Sequence, residues 1–208
     1  MIVRDAWNEH LPVAPLETSK EVLLEIKTVL DALKVPFFLI FGTCLGAMRE
    51  KNFIDIDPDI DPGIKHWDLV PKLNAVKAAF DVLGYESCYL NTPYPYNRMI
   101  RLEKRGVRID LVGWDLCKGL YFHPVEPDGK CHIFPRGMFD NLTKIDFLGK
   151  TFFVPTPVET FLVELYGENW RAKDPNYTFR TATCLRLNYW NEVVTKELGY
   201  DCVRSGSV

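Results

Sequence analysis

Gly42-Thr43-Cys44-Leu45-Gly46-Ala47-Met48-Arg49, then Glu50-Lys51-Asn52-Phe53-Ile54, then Asp55-Ile56-Asp57-Pro58-Asp59-Ile60-Asp61-Pro62-Gly63, is the stretch around which the rest of the chain is organised. It leaves an apolar run, Phe37 to Phe41, whose length and aromatic content suit a buried strand. Gly42 permits a tight turn, and Thr43 stands just ahead of a short expected helix, Leu45 to Glu50, whose positive end would face an anion. A phosphate fits there. Aspartates then recur at 55, 57, 59 and 61, and in an extended chain residues two apart share a face. Asp59 and Asp61 are expected to point together at one hard cation. Paired carboxylates suit magnesium, which commonly needs only one or two of them beside substrate phosphates and water. An acidic surface loop is the plain alternative, but such a loop more often interleaves its charges with lysines.

Length and composition frame this reading. A chain of 208 residues, 47% hydrophobic and 25% charged, suits one soluble domain with a real core. Its net charge of −3 gives no reason to expect nucleic acid or a membrane surface as the main partner. Met1 to Pro15 does not read as a signal peptide, and no apolar run reaches transmembrane length. The six cysteines are irregularly spaced, which favours reduced thiols and a cytoplasmic location. A peripheral membrane association and the oligomeric state stay open. The expected organisation is an N-terminal arm (1–17), a single domain (18–200) and a frayed tail (201–208).

Around the central stretch, Thr18-Ser19-Lys20-Glu21 matches a capping box, and Val22, Leu23, Ile26, Val29, Leu30 and Leu33 follow a helical period. A helix is expected from about Ser19 to Lys34. A second is expected over His66 to Leu83, with Pro71 near its first turn and Gly84 closing it. Tyr85 to Leu90 reads as a strand and Asn91 to Pro95 as a turn. Tyr96 to Leu102 and Val107 to Val112 read as a hairpin with a four-residue loop. Ile145 to Val154 suits a strand bent at Gly149, Pro157 to Tyr166 a helix, and Thr183 to Leu198 a last helix.

The second hairpin strand places Asp110 between Ile109 and Leu111, where a carboxylate is costly unless paired or bound to a cation. A structural aspartate at a strand end is the bland reading. A third oxygen donor beside Asp59 and Asp61 is the functional one. The same hairpin carries Arg98, Arg101, Lys104, Arg105 and Arg108. Arg98 and Arg101 face opposite sides of a regular strand, so at most one readily reaches the site, and Arg101 is favoured as a phosphate clamp. Cys117, His123, Cys131 and His132 could close a zinc site, but their spacing matches no paired knuckle, and a plain loop or hairpin is preferred.

Three separated pieces give the chain a resemblance to the LicD/fukutin family. Gly42-Thr43-Cys44-Leu45-Gly46-Ala47-Met48-Arg49, Phe53-Ile54 and Asp57-Pro58-Asp59-Ile60-Asp61 are similar to its Gly-Thr-Leu-Leu-Gly-x-x-Arg and Gly-Phe-Ile-Pro-Trp-Asp-Asp-Asp-Ile-Asp. Arg108-Ile109-Asp110-Leu111 is similar to its later strand aspartate. Phe147-Leu148-Gly149-Lys150, Val154-Pro155 and Tyr166-Gly167-Glu168-Asn169-Trp170 are similar to its C-terminal signature. Asn52, Asp55-Ile56 and Pro58 depart from the pattern, while Asp59 and Asp61 keep it.

The resemblance implies an α+β nucleotidyltransferase (polymerase β-like) fold, a mixed β-sheet with helices packed on it. It also implies metal-dependent transfer of phosphocholine or a polyol phosphate from a CDP-linked donor to a glycan hydroxyl. Asp59, Asp61 and Asp110 would then be catalytic and hold magnesium or manganese. Gly42, Thr43, Arg49 and Arg101 would bind substrate, although Arg49 could merely pair with an acid. The alternatives are an NTP-dependent nucleotidyltransferase that releases pyrophosphate and a catalytically silent binding module of the same fold.

Overall fold

The structure, a computed structural model, describes residues 14–55, 57, 59–91, 98–117, 119–125, 130–174, 176–177 and 185–186. Helix α1 (Leu16–Ala32) buries Val22, Leu23, Ile26 and Leu30, the face that the helical period marks. Its start corrects the expected capping box. The helix begins at Leu16 behind Pro15, whose φ of −55° suits helix entry, and no side chain caps it. Strand β1 (Phe38–Leu39) is shorter than the apolar run, because helix α2 (Phe41–Arg49) begins inside that run and not at Leu45. Gly42 and Thr43 thus lie in the first turn of α2.

Strands β2 (Asp59–Ile60) and β3 (Pro62–Lys65) follow. The single helix expected over His66 to Leu83 is divided by Pro71 into α3 (His66–Leu69), a 3-10 turn (Val70–Lys72) and α4 (Leu73–Val82). Proline lacks the N–H that an uninterrupted helix needs there. Strands β4 (Glu86–Asn91), β5 (Arg98–Lys104) and β6 (Val107–Cys117) come next. Lys104 pairs directly with Val107, so the expected four-residue loop is only Arg105-Gly106, with φ of 53° and 75°. Both residues adopt the positive φ of a primed hairpin turn, which glycine favours at its own position.

Strands β7 (Leu120–Val125) and β8 (Lys130–Pro135) form a hairpin, followed by α5 (Arg136–Asp140). The bent strand expected over Ile145 to Val154 is instead a second hairpin. Strands β9 (Thr143–Phe147) and β10 (Lys150–Val154) reverse at Leu148-Gly149 and make their own small sheet. Helix α6 (Val158–Tyr166) starts after Pro157 and stops at Gly167, φ 81°. Strand β11 (Leu185–Arg186) pairs with β8 where the last helix was expected to begin. The rest of that expected helix, the arm at 1–13, the turn at 92–95, Pro58 and the tail lie outside the described residues.

Among the described residues the main sheet has nine strands, and β6 is its spine. It pairs antiparallel with β5 and β7 and parallel with β2 and β3. Parallel neighbours need a crossover, which α3, α4, β4 and β5 supply. Helix α1 packs on α4 and β6, and α2 packs on β2 and α6. The core is strongly aromatic: Trp114 stands 4.8 Å from Phe139, and Phe134 stands 5.0 Å from Phe161, ring centre to ring centre. Burying a side chain such as Phe139 contributes about 1.5–3 kcal/mol. Among the described residues no helix is long and apolar enough to cross a membrane.

Candidate active site

Strand register assembles the site. Asp59 lies beside Arg108 in the β2–β6 ladder, and Arg101 lies beside Asp110 in the β5–β6 ladder. Cross-strand neighbours share a face, and so do residues two apart on one strand, so these four form one polar patch. Their contacts follow from that placement. Arg108 donates from Nε to Asp59 Oδ2 at 3.2 Å and from Nη2 to the same oxygen. Arg101 grips Asp110 through Nε–Oδ1 and Nη2–Oδ2, each 2.7 Å, a bidentate charge-assisted pair.

Asp61 is buried at the entrance of β3, and its backbone is tied to α2 at two points. Its N–H donates to Thr43 Oγ1 at 2.9 Å, and its carbonyl accepts from the Ile40 N–H at 3.1 Å. Thr43 is itself buried, so its hydroxyl positions Asp61 within the protein. Asp57 closes the other side. A Cβ built on Gly42 would stand 1.8 Å from Asp57 Oδ2, so only glycine lets the first turn of α2 approach this carboxylate.

Burial, reinforced by repulsion from neighbouring carboxylates, holds Asp57 and Asp61 well above the usual carboxylate range. For Asp61 those neighbours are Asp59, Asp57 and Asp110; for Asp57 it is Asp59. Burial works against the charge of Arg108, but Asp59, Asp110 and Asp61 outweigh it and raise its pKa. The patch is an acidic centre held together by two guanidinium groups.

The donor chemistry fits a magnesium-type ion: carboxylate oxygens from Asp59, Asp61 and Asp110, with Asp57 beside them, in a site where added positive charge relieves repulsion. Among the described residues no three His, Cys, Asp or Glu side chains already stand as a gathered ligand set. Magnesium does not require one, since it keeps waters and takes substrate oxygens.

Arg49 lies at the far end of α2 from Gly42. Its Nε donates to Glu50 at 2.9 Å, and its Nη1 reaches the carbonyls of Trp170 at 3.2 Å and Ala172 at 3.5 Å. In this geometry it fastens the segment after α6. The side chain of Arg98 lies outside the described residues. Asp55 is exposed near Lys173 and stands apart from the patch.

Pointing only Asp59 and Asp61 at one cation leaves out Asp57, which lies beside them. The period-two spacing that joins 57, 59 and 61 was the signal. Arg108 stands in the sequence as one charge in a run and beside Asp110 in the family's strand motif, and neither assigns it Asp59 as a partner. Tyr166 was noted within a C-terminal signature, with no hint that it packs 4.7 Å from Tyr177 or feels Asp57 and Asp61. Burial, then Tyr177 and these carboxylates, push its hydroxyl pKa up.

The zinc candidates fall on the β7–β8 hairpin. His123 lies opposite His132, whereas Cys131 and His132 are consecutive on one strand and face opposite sides. The side chain of Cys117 lies outside the described residues. His123 Nδ1 donates to the Gly113 carbonyl at 3.2 Å, while both ring nitrogens of His132 are buried without a partner. Burial drives His123 down to about 4 and His132 to about 3, so both are neutral at pH 7.

Comparison with known proteins adds two findings. A model of the LicD/FKTN/FKRP nucleotidyltransferase domain matches residues 34–157. In structure, the chain is similar to the antibiotic-resistance factor ANT(2'')-Ia in solution, at 13% identity over 92% of this chain and 90% of that one, with a TM-score of 0.50. It is also similar to the lincomycin-bound lincosamide antibiotic adenylyltransferase LnuA, at 14% identity over 65% of this chain and 79% of that one, with a TM-score of 0.46. No curated protein matches the chain in sequence. The likeness to ANT(2'')-Ia shows the nucleotidyltransferase fold.

Proposed function

The chain belongs to the LicD/FKTN/FKRP family and has a transferase role of the nucleotidyl- or phosphotransfer type, and from that premise we propose that it moves a phosphorylated substituent, phosphocholine or a polyol phosphate, from a CDP-linked donor to a glycan hydroxyl. The observation that carries this reading is that Asp61 lies among Asp57, Asp59 and Asp110, with Asp57 against Gly42 and Asp61 bonded to Thr43 in the first turn of α2. A diphosphate and a cluster of carboxylates repel unless a cation stands between them, so the arrangement suits a metal-bridged nucleotide donor.

Asp59, Asp61 and Asp110 would hold magnesium or manganese, which supplies neutralisation of charge on the donor phosphates and the departing CMP. The chain's own residues do the positioning. The first turn of α2, with the Asp57 carboxylate seated against Gly42, would face the donor phosphates through its free amides. Thr43 fixes Asp61 by accepting its N–H. Arg101 holds the carboxylate of Asp110 in one orientation, where it orients the acceptor hydroxyl. The acceptor oxygen bonds to the distal phosphorus, the bond from that phosphorus to CMP breaks, and a carboxylate of the cluster takes the hydroxyl proton. A sugar hydroxyl is a weak nucleophile, so alignment and charge neutralisation supply most of the acceleration.

Product analysis tests this. The protein is incubated with magnesium, a glycan acceptor and CDP-choline, CDP-ribitol or an NTP, and CMP and pyrophosphate are quantified. CMP release from a CDP-alcohol is expected. Pyrophosphate without CMP would overturn the reading in favour of nucleotidyl transfer.

A further inference from the structure

We infer that Arg108 is a displaceable counter-ion of the site: an incoming divalent cation competes with it for Asp59, and the released guanidinium then binds the donor diphosphate. The inference rests on the metal-bridged donor proposed above. It starts from an observed contact, since two nitrogens of Arg108 converge on a single oxygen, Asp59 Oδ2. That leaves little of this oxygen's acceptor capacity for a cation, because a guanidinium and a divalent ion repel across the same atom.

Arg101 is bound differently. It uses both oxygens of Asp110 in parallel, with side-chain exposures of 12% and 10% for the two partners. Such a fork is geometrically complete and resists displacement. Arg108 and Asp59, at 16% and 18%, are the more open pair. Asp59 also belongs to a strand only two residues long, next to Pro58 in sequence, whereas Asp110 lies well inside the eleven-residue β6.

The positions of the charges give the order of events. Arg108 sits on Asp59 and Arg101 on Asp110, so a cation that reaches for Asp59 meets Arg108 as a like charge on the same oxygen. The cation takes that oxygen as the guanidinium leaves. A freed Arg108 beside a bound cation lacks an anion, and a diphosphate is the anion that takes it. The cation therefore exposes Arg108, and the donor diphosphate then takes it up.

Calorimetry and chemical modification on the full chain test this, with Mn2+ as cation and CDP as diphosphate probe. Phenylglyoxal labelling mapped by peptide mass spectrometry is expected to find Arg108 protected without cation. Saturating Mn2+ should raise its labelling about tenfold, and CDP should restore protection. Arg108→Gln should bind Mn2+ at least about tenfold tighter than wild type without CDP, because a directly competing charge is gone. Arg108→Lys should fall in between. If Mn2+ binds by calorimetry while Arg108 labelling is unchanged, the counter-ion role is overturned and the metal-dependent function stands. If Mn2+ fails to bind with or without CDP, both fall. The wild-type labelling decides the matter even where a variant fails to fold.

Discussion

Gly42→Ala separates the cost of a clash from its consequence for chemistry. The added Cβ would stand 1.8 Å from Asp57 Oδ2 and 2.8 Å from its Cγ. Restoring ordinary contact requires the carboxylate to retreat by more than about 1 Å. The obstructing atoms are the end of a side chain, so the fold yields cheaply. Overpacking of this kind costs about 1–3 kcal/mol, and alanine returns up to about 1 kcal/mol of helix propensity in α2. The net loss of stability is therefore about 0–2 kcal/mol. A misplacement of about 1 Å in a catalytic group costs roughly 100-fold in rate, or about 2.7 kcal/mol in the barrier. Denaturant unfolding and initial rates of CMP release measure the two quantities on one preparation. Gly46→Ala is the matched control: its Cβ would meet the Asn52 carbonyl oxygen at 2.6 Å and Ile54 N at 3.1 Å, backbone atoms that cannot rotate away. It should lose stability first, with Tm falling by about 2–4 °C per kcal/mol. A Gly42→Ala protein with wild-type turnover would refute the placement of Asp57 in the working site.

Three further outcomes follow from the same geometry. Asp59→Asn and Asp110→Asn should each lower turnover by about 100-fold or more while circular dichroism stays native, as expected when charge stabilisation is removed from a preorganised site; turnover like wild type would remove these carboxylates from the chemistry. His132→Phe should raise stability at pH 7 by about 1 kcal/mol or more, because it deletes two buried ring nitrogens that have no partner. It should also flatten the acid limb of the stability profile. The unfolded chain takes up its histidine protons near pH 6.5, whereas folded His123 waits until about 4 and folded His132 until about 3. Their contribution is thus fully present above about pH 6.5 and is lost as pH falls, at about 1.4 kcal/mol per pH unit for each histidine. Equal slopes for wild type and His132→Phe would contradict this. Arg49→Ala leaves the carbonyls of Trp170 and Ala172 short of a donor, and faster hydrogen exchange after α6 is its expected signature.

Much of the site was legible because it depends on local periodicity. Alternation placed Asp59 and Asp61 on one face, and an aspartate within an apolar strand marked Asp110 as a residue that needs a partner. What escaped depends on pairing between distant strands. The fork of Arg101 on Asp110 follows from a two-residue turn at Arg105-Gly106 that sets the β5–β6 register, and a longer loop predicted a different one. Arg108 meets Asp59 only because β2 runs parallel to β6, an order no local pattern announces. Helix ends failed for local reasons with tertiary outcomes. Pro15 starts α1 ahead of a plausible capping box, and Phe41 enters α2 at a φ of 45°, a left-handed conformation that ring packing against Trp114 and His132 sustains. This early start puts Gly42 and Thr43 inside the helix and turns the Thr43 hydroxyl toward Asp61.

The fate of the distal phosphorus tests the proposed transfer most directly. With a CDP-alcohol carrying 32P at that atom, magnesium and a glycan acceptor, the label is expected in the glycan fraction and the released CMP is expected to be unlabelled. Label that stays with the nucleotide, while an NTP yields pyrophosphate and a nucleotidylated product, would contradict the transfer assigned to this site.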